Sequence, residues 1–261
     1  MWKTLPATVS LIALNGIIFL LVDNLLPAGN LLAERLPLYF PKNANFGVWQ
    51  FVTHMFMHGG LSHLFLNMFG LFSFGAILER VWGAKRFLTF YFAAGIGAAL
   101  IYTAVHYVDF NSATRQLQAA GLQSSEITQI VQSRDPEQIW QIVSRSTAEV
   151  TEAQITSLRK LYQTVNIPMV GASGAIYGIL TAFGMLFPNA KLSLIFLPVP
   201  IAAKFFIPAL LLLDLFSGVT GFSIFGGGIA HFAHVGGALI GFLLMLLWRK
   251  DAGAYPQQPA F

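Results

Sequence analysis

Long apolar runs alternate with short polar breaks along this chain. Six runs, 7–26, 61–79, 87–108, 174–187, 199–217 and 231–248, carry few charges and approach the roughly 20 residues that a helix needs to cross a bilayer. The pattern predicts an all-α membrane protein, a bundle of six transmembrane helices. Run 7–26 follows Lys3, as a signal peptide would, but it is too long for a signal core and no clear small-x-small cleavage site follows. It reads as an uncleaved membrane helix. Run 174–187 is short. At about 1.5 Å per residue its 14 residues reach only some 21 Å, so this helix is expected to begin below the outer surface, at the floor of a water-filled depression.

Residues 109–166 break the pattern. They hold six acidic and five basic residues. Ile139, Ile142 and Val143, then Ile155, Leu158, Leu161 and Tyr162, recur at amphipathic helical spacing. Asp135-Pro136 reads as a helix N-cap followed by proline at the first helical position. The expected organisation is three membrane helices over 1–108, an extramembrane helical insert over 109–166, three more membrane helices over 167–250, and a disordered tail over 251–261. The insert reads first as a lid or spacer packing on itself, and second as a surface for substrates or partners.

Composition agrees with a lipid environment. The chain is 56% hydrophobic and 10% charged, against the roughly 25% charge of soluble domains. Cysteine is absent, which excludes disulfides and thiolate metal sites. The net charge of +4 sits beside apolar segments and reads as loop bias, not as a nucleic-acid surface. Lys3, Arg80, Lys85, Arg86, Lys191, Lys204, Arg249 and Lys250 fall on one side of the predicted helices, with only Arg35 and Lys42 in the short loops opposite. The positive-inside rule then places both termini in the cytoplasm. His63, Asn67, Ser173 and His234 all fall near the outer ends of helices 2, 4 and 6, in one layer.

That layer carries the candidate chemistry, since polar side chains at membrane depth are costly and mark functional sites. Gly171-Ala172-Ser173-Gly174 puts a hydroxyl among small neighbours at a helix start, where unpaired N–H groups can hold an oxyanion. A helix-capping serine is the plainer reading. His234, Gly237 and Gly241 share one helical face, and Gly174 and Gly178 form a matching small-xxx-small pair beside Ser173. If these faces pack, His234 meets Ser173 as general base and then general acid. His231 lies near the same face, so the spacing alone does not choose between the two imidazoles. Tyr177, one turn after Ser173, could stack on the imidazole or simply pack in the core. Asp214 is the one carboxylate deep in an apolar run of the C-terminal half, and no motif ties it to His234. His63 and Asn67, at i and i+4, offer hydrogen-bond donors to an oxyanion. His54, His58 and His63 could instead hold a metal, but Gly59-Gly60 interrupts them and no carboxylate is near. Neither metal nor cofactor is expected.

His58-x4-His63-x3-Asn67, Glu79-Arg80-x2-Gly83, Gly171-Ala172-Ser173-Gly174-x2-Tyr177 and Ala233-His234-x2-Gly237-x3-Gly241 stand in an order that resembles the rhomboid intramembrane serine proteases. The resemblance covers 1–108 and 167–250 and leaves the insert outside. It implies a Ser173–His234 dyad without a carboxylate. It also implies oxyanion contacts from His63, Asn67 and the Ser173 N–H, and stacking of Tyr177 on His234. Substrates would be single-span membrane proteins, cut near the outer edge of their transmembrane segment at small residues, and the expected location is a bacterial plasma membrane. A cap loop over 217–229 would act with helix 5 as a gate. Trp49-Gln50 departs from the Trp-Arg of many members, which bears on how the loop after helix 1 is anchored. The alternative reading is a catalytically silent member of the same fold that binds membrane proteins.

Overall fold

A computed structural model describes residues 5–27, 29–133, 135–146, 150–194, 197–222 and 230–249. The glycines at 226–228 in the expected cap loop, and the tail after 250, lie outside the described residues. In chain order the helices are α1 (Pro6–Leu20), α2 (Leu31–Arg35), α3 (Gln50–Thr53), α4 (Leu61–Trp82) and α5 (Ala84–Ala119). Next come α6 (Ser124–Gln132), α7 (Pro136–Ser146), α8 (Glu152–Asn166) and α9 (Ser173–Leu186). A hairpin of β1 (Lys191–Leu194) and β2 (Leu197–Ala202) then leads to α10 (Ala203–Thr220) and α11 (His231–Arg249). By length and composition α4, α5, α10 and residues His231–Trp248 of α11 suit a membrane span, and α1 and α9 are shorter apolar helices. Leu66, Phe69, Phe72, Leu100, Leu212, Phe216, Leu243 and Leu247 stand exposed on the four long helices. So much apolar surface needs lipid around it, and the protein is an integral membrane protein.

Two helices widen locally. A π turn, Leu21–Leu25, extends α1, and another, Leu71–Gly75, interrupts α4. The first turn of α1 has no side-chain cap of its own. Its orphan donors, Ala7 N–H and Thr8 N–H, bond instead to the two carboxylate oxygens of Glu79 at 2.9 and 2.8 Å. Glu79 is buried near the far end of α4, so the start of α1 is fastened to the end of α4.

α9 sits at the centre, packed against α5 and α11. Phe87, Phe90, Tyr91 and Ala94 of α5 meet Ile176, Ile179, Leu180 and Phe183 of α9 in one buried cluster, with Met245 of α11. Glycine permits the closest approach. A Cβ on Gly237 would overlap the Gly174 carbonyl, and one on Gly241 would lie 2.7 Å from Gly178 Cα. The two glycine faces are therefore in backbone contact.

Two elements differ from the sequence expectation. The helix expected over 87–108 runs from Ala84 to Ala119. The change of polarity at Asp109 ends the apolar run, but nothing there breaks a helix. Ala113 and Leu117, in the extension, join Phe40, Leu122, Ile127, Ile130, Val143, Leu161 and Val165 in a second buried cluster. Lys160 of α8 pairs with Asp109 of α5 at 2.6 Å. The helix expected from 199 begins at Ala203, because residues 197–202 form β2, paired antiparallel with β1 through Lys191↔Ala202 and Leu192↔Ile201. Pro198 and Pro200 lack the N–H a helix interior uses, and a two-stranded ribbon tolerates them at its edge.

The loop after α1 is anchored by Gln50, which is fully buried. Its side-chain amide donates to the carbonyls of Arg35 (3.1 Å) and Asn45 (2.7 Å), and its oxygen accepts from Tyr39 N–H (3.1 Å). Neutral glutamine, with two donors and an acceptor, joins three strands of loop where an arginine could only donate.

Candidate active site

The segment leading into α9 is fixed on both sides. Leu38 and Met169 exchange backbone hydrogen bonds of 2.9 and 2.8 Å, and Gly171 N–H donates to the His54 carbonyl at 2.9 Å. Gly171 then turns with φ +114°, a conformation that favours glycine. Its bare α-carbon leaves space for two functional groups. A Cβ there would lie 2.7 Å from His63 Nε2 and 3.7 Å from Ser173 Oγ. His63, two residues into α4, thus borders the same small space as the serine.

Ala172 is the N-cap of α9, and no side chain caps the helix. The Ser173 hydroxyl is therefore not spent on capping, which removes the plainer reading of that residue. Its Oγ and His234 Nε2 are hydrogen-bonded at 2.8 Å. Of the two neighbouring imidazoles, His234 is the one within hydrogen-bond distance of Ser173. His231, one turn earlier, points its Nδ1 to Asp214 Oδ1 at 2.6 Å. His234 is buried, and the Tyr177 ring stacks on it, with centroids 4.2 Å apart and planes 11° from parallel.

Asp214 of α10 joins this cluster, which spacing and resemblance did not lead us to expect. Its Oδ1 also meets His234 Nδ1 at 3.2 Å, and its Oδ2 accepts a short hydrogen bond from the Tyr177 hydroxyl. Asp214 is 17 residues from His231, 20 from His234 and 37 from Tyr177, on a different helix. No local periodicity could tie them together. The available signal was its cost, as the one carboxylate within an apolar run of that half.

The oxyanion candidates separate. Gly59 N–H donates to His63 Nδ1 at 3.3 Å. A neutral His63 accepting there carries its hydrogen on Nε2, the atom beside Gly171 and Ser173. Asn67 is buried one turn deeper, and its amide donates to the His63 carbonyl at 2.8 Å, within its own helix. The structure thus brings His63 toward Ser173 and turns the Asn67 amide back on α4. The Ser173 N–H, heading α9, completes the set of donors that a helix start leaves unpaired.

His54, His58 and His63 do not converge as a metal site. His54 Nδ1 engages the Gln50 carbonyl at 2.8 Å, and the His58 and His63 rings meet edge to face. His54 and His58 are both buried, and burial lowers each pKa to about 4, so both are neutral at pH 7. Among the described residues the one trio of potential metal ligands within 4.8 Å of one another is Asp214, His231 and His234. All three are already joined by the hydrogen bonds given above.

The model of the rhomboid domain matches residues 45–115 and 141–251. The chain belongs to the rhomboid family. The break in the match falls within residues 109–166. Rhomboid relatives include a zebrafish (Danio rerio) presenilin-associated rhomboid-like protein A, mitochondrial, 28% identical over 76% of this chain and 38% of its own length. Rhomboid protein 1, mitochondrial, of Saccharomyces cerevisiae is 26% identical over 72% of this chain and 38% of its own. Rhomboid protease GluP of Bacillus subtilis is 40% identical over 20% of this chain and 10% of its own. The chain thus spans less than two fifths of the length of these relatives. The two that cover most of this chain carry mitochondrial names, so the expected bacterial plasma membrane finds no support among them.

Proposed function

We propose that this protein is an intramembrane serine endopeptidase that cuts single-span membrane proteins near one face of the bilayer. The observation that carries the reading is the 2.8 Å hydrogen bond between Ser173 Oγ and His234 Nε2, at the start of a central helix in an integral membrane protein. Membership of a family in which some relatives are named proteases supports it.

In this reading α1, α4, α5, α9, α10 and α11 are six spans, and residues 109–166 form an insert on the side of the catalytic layer. The basic loops lie opposite, with both termini. Ser173 Oγ attacks the scissile carbonyl and its proton passes to His234 Nε2. The oxyanion is held by His63 Nε2–H and the Ser173 N–H, and by Asn67 if its amide turns from the His63 carbonyl. His234 gives the proton to the leaving amine, and water then releases the acyl group by the same relay. Tyr177 keeps the imidazole in plane.

The test is cleavage of a single-span membrane protein, in detergent with a chelator present, by wild type and Ser173→Ala. Cleavage by wild type alone supports a metal-independent serine protease. No cleavage by either folded protein, across several substrates, favours the silent binding protein of the same fold.

A further inference from the structure

Asp214 is held on every side by groups that donate to it. Oδ1 accepts from Nδ1 of His231 and of His234, at 2.6 and 3.2 Å, and Oδ2 from the Tyr177 hydroxyl. It is itself buried. A buried carboxylate with three donors is well satisfied, and this one sits behind the ring that faces Ser173.

The consequence for His234 is a choice of tautomer. A neutral imidazole has one N–H and one lone pair, and the partner of one nitrogen sets the state of the other. A carboxylate at Nδ1 can only accept, so Nδ1 carries the hydrogen and Nε2 the lone pair. Nε2 is the atom 2.8 Å from Ser173 Oγ. We infer that Asp214 is a positioning residue which fixes His234 as the base toward Ser173, with His231 and the Tyr177 hydroxyl holding the carboxylate in place. The site then works as a serine–histidine–aspartate relay and not as a bare dyad. This rests on the serine-protease reading above. The carboxylate takes no proton from the ring. It orients the imidazole and stabilises the imidazolium that forms when Ser173 attacks.

The structure also separates the two imidazoles. His231 shares the carboxylate but does not reach Ser173, so its part is to hold Asp214. Tyr177 has two roles, stacking on the ring with its face and steadying the carboxylate with its hydroxyl.

The test pairs kinetics with a spectroscopic reading of the tautomer. In Asp214→Asn the amide nitrogen can donate to Nδ1, which places the hydrogen on Nε2 and leaves no lone pair for the serine. The expected result is a fall in kcat of about 10²- to 10⁴-fold, by analogy with the same change in a soluble serine protease, with KM within about threefold of wild type. Asp214→Glu, which keeps a carboxylate, recovers part of the loss. Nitrogen-15 spectra of histidine-labelled protein, with six histidines in the chain and His234→Gln to identify the signal, show His234 as the Nδ1–H form in wild type and the Nε2–H form in Asp214→Asn. Wild-type kcat in folded Asp214→Asn, or an Nε2–H tautomer in the wild type, overturns the inference. If Asp214→Asn does not fold, the wild-type spectrum alone decides. A wild type that cleaves nothing would refute the protease reading, and the tautomer would still report on Asp214.

Discussion

Gly237→Ala is a one-carbon perturbation whose effect follows from the packing of α9 on α11. The added Cβ would overlap the backbone carbonyl of Gly174, which cannot swing aside as a flexible side chain could. Ordinary contact begins near 3.4 Å, so the two helices must part by more than about 1 Å at this level. The contact lies one turn from the Ser173–His234 bond of 2.8 Å. Adding that displacement gives about 3.8 Å, beyond hydrogen-bond range. Overpacking costs about 1–3 kcal/mol of stability, and a misplacement of this size in a reacting pair costs about 10²-fold in rate. Gly241→Ala, where the Cβ would stand 2.7 Å from Gly178 Cα, should show a smaller loss. Gly16→Ala meets nothing within 4 Å and serves as the control, neutral or slightly stabilising. The assay is labelling of Ser173 by a fluorophosphonate, with melting in detergent run in parallel. Wild-type labelling and melting in Gly237→Ala would refute the close approach of the two helices and the reasoning built on it.

Two further outcomes are expected. Gly171→Ala forces a Cβ into a φ of +114° and to 2.7 Å from His63 Nε2, and turnover should fall about 10²-fold, measured as kcat on the same substrate; an unchanged kcat would place His63 elsewhere. His54 and His58 are neutral when folded, with pKa lowered to about 4 by burial, so the unfolded chain binds the extra protons. The contribution of these two histidines should be flat above about pH 7, fall by about 3 kcal/mol each between pH 6.5 and 4, and level off below that, where protonation of the buried carboxylates takes over. Melting from pH 8 to pH 3.5 checks it, and His54→Asn, which keeps a donor for the Gln50 carbonyl, should remove part of the fall.

Much of the site could be read from order and spacing. Ser173, His234, Tyr177 and the four glycines repeat on helical faces, and the structure puts those faces together. His63 was legible as a polar group near a helix start. Asp214 was not, because its partners lie on other helices and only the crossing of α10 over α9 and α11 brings it to His234. The Asn67 amide was readable as a donor but not as one committed to its own helix, since Asn67–His63 spacing fits both uses. Apolar run length located the apolar helices, four of them long enough to span a bilayer, but not their ends. α5 continues past Asp109 because a charge ends a lipid-facing surface without ending a helix. The hairpin at 191–202 escaped because apolar residues around prolines resemble the start of a span.

The Glu79 bridge to Ala7 and Thr8 has a consequence for how the chain is made. Synthesis proceeds from the N-terminus, and the donors of α1 emerge some 70 residues before the acceptor that completes them. Until residue 79 is made and packed in place, Ala7 N–H and Thr8 N–H have no protein acceptor from Glu79. A chain cut before residue 79 would lack the acceptor for both groups, and water would have to serve the exposed start of α1 instead.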